Sequence, residues 1–141
     1  MIVIPSKITM NFITYNKDLI ITGIQIEEIK ENPIRAAREF ADQYGVVCVL
    51  KDSATVIAGR DGKTFVNGSG TPAMAKGGSG DVLTGVIAGL IALGLEESDA
   101  ASLGVYVHGL AGEKAAKRFG VHAVLAGEIA DCLSEDRENG I

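Results

Sequence analysis

TPAMAKGGSGDVLTGVIAGLIALG, residues 71–94, decides how this chain is read. Gly77, Gly78 and Gly80 stand directly before Asp81, and an almost wholly apolar segment follows, the pattern of a glycine-rich turn opening a buried helix. The first N–H groups of such a helix have no partner within its own turn, and the aligned peptide dipoles add partial positive charge there. An anion is the natural ligand, and phosphate fits best. Asp81 admits two readings at this point: an acidic residue that simply favours the dipole, or a base held beside a reacting phosphate.

The flanking sequence builds an α/β layout around this turn. Gly85 with Gly89, and Ala88 with Ala92, lie four residues apart and permit close helix packing, so residues 81–93 are expected to be buried. Ser98 is placed to cap the next helix, with Asp99 in its first turn; Lys114, Lys117 and Arg118 suit its C-terminal dipole and Gly120 ends it. A short helix over residues 128–133 and a frayed charged tail complete the chain.

Upstream, residues 46–50 (VVCVL) form a β-branched run too short for a helix, which reads as a strand covered on both faces. Residues 55–58 and 63–66 are two more strands, and Asp61-Gly62 between them signals a hairpin. Asn32 caps a helix with Pro33 at its first position and Gly45 at its end. Ala37, Phe40, Ala41 and Tyr44 mark its inner side; Arg35, Arg38, Glu39 and Asp42 face water. Ile24, Ile26 and Ile29 suggest a short helix or turn, and residues 2–5 a short strand, while residues 6–21 show no clear period.

With 141 residues, 47% of them hydrophobic, the chain is long enough to bury a core as one domain or a piece of one. A net charge of −5 without a basic cluster argues against nucleic acid as a partner. Cys48 and Cys132 have no metal-like spacing to each other or to His108 and His122, and read as reduced core residues. The N-terminus lacks a signal-peptide pattern and the apolar helix is too short to span a bilayer, so a cytoplasmic protein without membrane association is expected.

The run GTPAMAKGGSGDVLTGVIAGL, with VLKDSATVIAG before it and YVHGLAG after it, resembles the ADP- or ATP-dependent NAD(P)H-hydrate dehydratases of the ribokinase-like superfamily. The similarity runs over residues 21–133 and implies a ribokinase-like α/β/α sandwich, of which residues 1–141 supply the C-terminal half as a single partial domain, with an antiparallel hairpin at the sheet edge. Residues 1–21 are atypical for the family: the usual His-Pro-Gly-Glu segment of the hydrate-binding side has no counterpart.

The resemblance implies that Asp81 is the catalytic base, activating a substrate hydroxyl toward the terminal phosphate of ADP or ATP, with Gly77, Gly78, Ser79 and Gly80 forming an anion hole. Lys51, Ser53 and Thr55 match a nucleotide-contacting segment, although Asp52 replaces its glycine; Thr71 stands where the family has Asn, and Met74 is either packing or a neighbour of the adenine ring. Read without the resemblance, Lys51 is a solvated lysine at a strand end. Mg²⁺ is expected to arrive with the nucleotide, and no metal-ligating residues are assigned. His108 reads as a satisfied structural histidine and His122 as a loop residue.

The implied reaction is phosphorylation of the hydroxyl on hydrated NADH or NADPH, followed by elimination of phosphate. Two alternatives remain open: a catalytically inactive nucleotide-binding remnant, or a small-molecule kinase of the same superfamily. An unpaired sheet edge leads us to expect self-association, with a homo-oligomer completing the site.

Overall fold

The computed structural model describes residues 2–4, 13–14 and 26–135. Five strands, β1 (Ile2–Ile4), β2 (Ile13–Thr14), β3 (Val47–Leu50), β4 (Thr55–Ala58) and β5 (Thr64–Asn67), form one sheet in the order β2-β1-β3-β4-β5. Every pairing in it is antiparallel, with Ile2 opposite Val49, Cys48 opposite Ala58 and Ile57 opposite Phe65. Helices α1 (Ile26–Glu31) and α2 (Pro33–Tyr44) precede β3, and α3 (Ser79–Ala92), α4 (Glu97–Phe119) and α5 (Ala126–Glu135) follow β5.

The alternation of side chains along each strand sorts the core into two layers. Ile2, Val47, Val49 and Ile57 point to one face and pack with Leu83 and Ile87 of α3 and Ala100, Ala101 and Val105 of α4. Cys48, Val56 and Ala58 point to the other and pack against Ala37, Phe40 and Ala41 of α2. Strand β3 is thus covered on both sides, as its unbroken apolar run requires, and the layers make an α/β/α sandwich with the β4–β5 hairpin at one edge. A third cluster joins Ala111 and Ala115 of α4 to Val124, Ile129 and Cys132 around α5.

Local signals account for most element ends. Asn32 accepts a hydrogen bond from the Arg35 N–H at 3.0 Å, and Gly45 closes α2 in the left-handed region at φ 62°. In the hairpin, Gly62 takes φ 83° while Asp61 Oδ1 accepts from the Lys63 N–H at 3.1 Å. Arg60 pairs with Glu97, tying this hairpin to the start of α4.

Four expectations need correction. Tyr44 is 46% exposed, because the last turn of α2 carries it off the sheet and its ring packs at a tilt of 43° against Phe40 instead. The fourth helix starts at Glu97, so Ser98 lies inside it rather than capping it, and its carbonyl accepts from Ser102 Oγ. Helix α3 is one-sided rather than buried: Ser79, Leu83 and Ile87 are covered, whereas Leu93 is 80% exposed and a Cβ on Gly85 or Gly89 would meet nothing within 4 Å. The last helix, α5, is longer at both ends than residues 128–133. The short strand expected at residues 2–5 is seen as Ile2–Ile4; Pro5, and most of residues 6–21, lie outside the described residues, as do the frayed tail and Ile24.

Cys48 and Cys132 are both buried, in different clusters, and burial pushes the Cys48 thiol up to about 12. No helix among the described residues is long and apolar enough to cross a membrane.

Two glycines on facing helices should respond oppositely to a methyl group. A Cβ on Gly104 would lie 2.7 Å from Ile87 Cγ1, so Gly104→Ala is expected to cost about 1–3 kcal/mol. Gly85 faces open space within a helix, so Gly85→Ala is expected to add about 0.5–1 kcal/mol. Urea midpoints of the two variants check both signs.

Candidate functional site

Between the end of β3, the segment after β5 and the middle of α4 lies a cleft of about 440 Å³, within the size range of small-molecule sites. Lys51, Ser53 and Thr55 enter it from the β3–β4 side; Thr71 and Met74 enter from the turn that follows β5. Five of the residues singled out in the sequence therefore share one cavity. Lys51 is half-buried and Ser53 exposed at the mouth, whereas Thr55 and Met74 are buried.

The wall after β5 is fixed by hydrogen bonds that no short motif announced. Asn67 Nδ2 donates to the Ser69 carbonyl at 2.9 Å, Ser69 Oγ donates to the Tyr106 carbonyl at 3.1 Å, and the Gly70 N–H donates to Glu113 Oε1 at 2.8 Å. Thr71 then caps a single 3-10 turn, Pro72–Met74. Helix α4 comes so close that a Cβ on Gly109 would stand 2.0 Å from Ser69 Oγ and one on Gly112 2.2 Å from Met74 Sδ. Asn67, Ser69, Gly70 and Gly109 line the cleft and were absent from the sequence-based candidates. The Gly-Ser-Gly run at residues 68–70 and the small residues of YVHGLAG were the available signals.

The glycine turn opens α3 as expected. Gly78 is its N-terminal cap at φ 85°, its carbonyl accepting from the Val82 N–H at 3.1 Å, and a Cβ there would press on Ala126 Cβ at 3.1 Å. Gly77 and Asp81 are exposed, Gly80 is half-buried, and these residues stand outside the lining of the cleft, which α3 reaches through Leu83. Ser79 is buried, and its Oγ has no hydrogen-bond partner. Lys76 is tethered away from the turn, its Nζ donating to the His122 carbonyl at 3.2 Å.

His108 is where the cleft and the glycine turn meet. It lines the cleft from α4, is 2% exposed, and has the backbone of Ser79 beside its ring. The expectation of a satisfied structural histidine fails: Nε2 is buried with no partner. Burial pushes the imidazole down to about 4, the nearby Lys51 charge acts in the same direction, and the Ser79 backbone opposes both. The ring is neutral at pH 7.

Chemically the cleft offers a cation, Lys51, beside a carboxylate, Asp52, at its mouth, hydroxyl and amide groups on its rim, and an apolar floor of Leu83, Val105 and Met74. That donor set suits a ligand with an anionic end and a flat or apolar body. Among the described residues, no three His, Cys, Asp or Glu side chains come together to hold a metal ion.

The family described as NAD(P)H-hydrate dehydratase matches residues 17–135, most of the chain. The chain belongs to this family. It is 45% identical over 111 residues to the bifunctional NAD(P)H-hydrate repair enzyme of Moorella thermoacetica, and 38% identical over 112 residues to the ADP-dependent (S)-NAD(P)H-hydrate dehydratase of Bacillus subtilis. These matches cover 79% of this chain in both cases, but 21% of the first relative and 41% of the second. The fold agrees with that of the Bacillus subtilis ADP/ATP-dependent NAD(P)H-hydrate dehydratase co-crystallised with ATP and Mg²⁺, at a TM-score of 0.79 and 36% identity, over 84% of this chain and 43% of that one. A ribokinase-like superfamily protein from Enterococcus faecalis matches at a TM-score of 0.66 and 32% identity, over 79% of this chain and 38% of that one. The architecture is thus a partial ribokinase-like α/β fold, and the chain spans less than half the length of these family members.

The buried imidazole makes stability depend on pH with a definite sign. Its pKa in the folded protein, about 4, lies below the usual 6.5, so between these values the unfolded chain binds a proton that the folded chain refuses. Stability is expected to fall as pH drops from 6.5 toward 4, by up to about 1.4 kcal/mol per pH unit from this group. Denaturant unfolding at pH 7 and pH 4.5, compared between wild type and His108→Leu, isolates the contribution: the variant should lose less stability on acidification.

Proposed function

We propose that this chain carries the nucleotide-binding side of an ADP- or ATP-dependent NAD(P)H-hydrate dehydratase. The observation that carries the reading is the convergence of Lys51, Ser53, Thr55, Thr71 and Met74 on one cleft that reaches α3 at Leu83, just inside its glycine-capped start. Lys51 meets anionic charge, the hydroxyl rim orients the ligand, and the N–H groups of Gly77, Gly78, Ser79 and Gly80 receive the transferring phosphoryl group. The Ser79 N–H is the exception, since it donates to the Lys76 carbonyl at 3.3 Å, which leaves the three glycine N–H groups for the anion.

In this reading Asp81 takes the proton of the hydroxyl on hydrated NADH or NADPH as that oxygen bonds to the terminal phosphorus and the bond to the nucleotide leaving group breaks. Elimination of phosphate from the product then restores the nicotinamide ring. What supports this role is an exposed carboxylate in the first turn of α3, beside the N-terminal glycines. A magnesium ion bound through the nucleotide's phosphates would neutralise their charge, and the residues described here contribute no carboxylate cage of their own.

One observation favours a second reading, nucleotide binding without turnover: Asp81 stands exposed and outside the lining of the cleft. The two are separated by experiment. Calorimetric titration with ADP and with ATP in the presence of magnesium should show saturable binding. Hydrated NADH supplied with either nucleotide should yield NADH, and Asp81→Asn should lower that rate about 100-fold or more while nucleotide affinity is kept. Undiminished turnover by Asp81→Asn rules out the base; binding by wild type with no turnover selects the second reading.

A further inference from the structure

Nε2 of His108 is an unpartnered polar atom on a side chain that is 2% exposed and lines the cleft. Leaving a buried hydrogen-bonding atom without a partner costs stability, and a leucine of similar size at this position would avoid that cost. The helix that carries the ring is packed closely before and after it. On one side Gly104 lets α4 meet Ile87 of α3; on the other Gly109 and Gly112 let it meet Ser69 and Met74. Nε2 is itself closed to solvent, so a ligand in the cleft meets it only with a small turn of the ring.

We propose that His108 is a ligand-recognition residue of the cleft, whose Nε2 completes its hydrogen bonding only when a neutral polar group of the bound nucleotide, a ribose hydroxyl or a base edge, occupies the cavity. This rests on the reading of the cleft as a nucleotide site and adds to it a specificity residue. The neutral end of the nucleotide is singled out because the imidazole is uncharged at pH 7 and offers no charge to a phosphate, whereas Lys51 and the start of α3 do. The Ser79 backbone lies beside the same ring, one residue after the cap of α3.

The test compares wild type, His108→Leu and His108→Gln in thermal unfolding and in calorimetric titrations with ADP and with pyrophosphate, both with magnesium. His108→Leu is expected to melt higher than wild type without ligand, by about 2–4 °C. It should bind ADP about five- to tenfold more weakly, the loss of one neutral hydrogen bond, with pyrophosphate affinity unchanged. His108→Gln, which keeps a hydrogen-bonding group, should recover part of the ADP affinity. A wild type that binds ADP together with a His108→Leu that binds it equally well overturns the inference and leaves the nucleotide reading standing. Equal losses for ADP and pyrophosphate overturn it too, since the residue would then act through the anionic end. Wild type that takes up neither ligand overturns the nucleotide reading, and this inference with it.

Discussion

Helix α4 is bare where other elements need to approach it, and the rest of the structure depends on that. At Gly104, Gly109 and Gly112 even a methyl group would overlap Ile87, Ser69 or Met74, so α3 and the segment after β5 are seated against helix backbone. The spacing of 104, 108 and 112 puts two of these glycines and His108 on one helical face. A helix of 23 residues can give up packing at such points because Ala100, Ala101, Val105, Ala111 and Ala115 anchor it to the sheet and to α5. Contact made this way is stiff, since a backbone has no rotamers with which to yield.

That stiffness explains how the cleft is held open between unlike walls. One wall is the end of a sheet strand, whose register is fixed by antiparallel pairing on both sides of β3. The other is an irregular segment with no ladder of its own, held by Asn67, Ser69 and Glu113 and by the close passage of α4. Ser69 and Gly70 are positioned as firmly as strand residues because their polar groups are spoken for by α4.

Elements whose chemistry is local were legible in the sequence: Asn32-Pro33 and Gly45 bound a helix, Asp61-Gly62 turned a hairpin, and Gly78 capped α3. The same holds for Lys51, Ser53, Thr55, Thr71 and Met74, which share a cleft because the elements bearing them are ordered along the chain as expected. What sequence could not show was orientation about an axis. Tyr44 has helical spacing with Phe40 yet turns outward at the end of α2, and α3 is apolar all round yet buries only one stripe. His108 was misread for the same reason: its small neighbours announce close packing but do not say whether both ring nitrogens find partners. The roles proposed for the glycine turn and Asp81 come from resemblance and chemistry.

The antiparallel sheet has a consequence for how the chain reaches this state. From β3 onward, most of the packing joins elements that follow one another in sequence: β3 on β4, β4 on β5, α3 on α4, α4 on α5. Contacts this local close short loops and form quickly. Strand β1 is the exception, pairing with β3 across the whole of the α1–α2 segment. It therefore carries the largest loop-closure cost in the sheet while contributing Ile2 to the core. Strand β1 is thus the last strand of this sheet to gain from docking, and the elements that bear the cleft can assemble before it pairs.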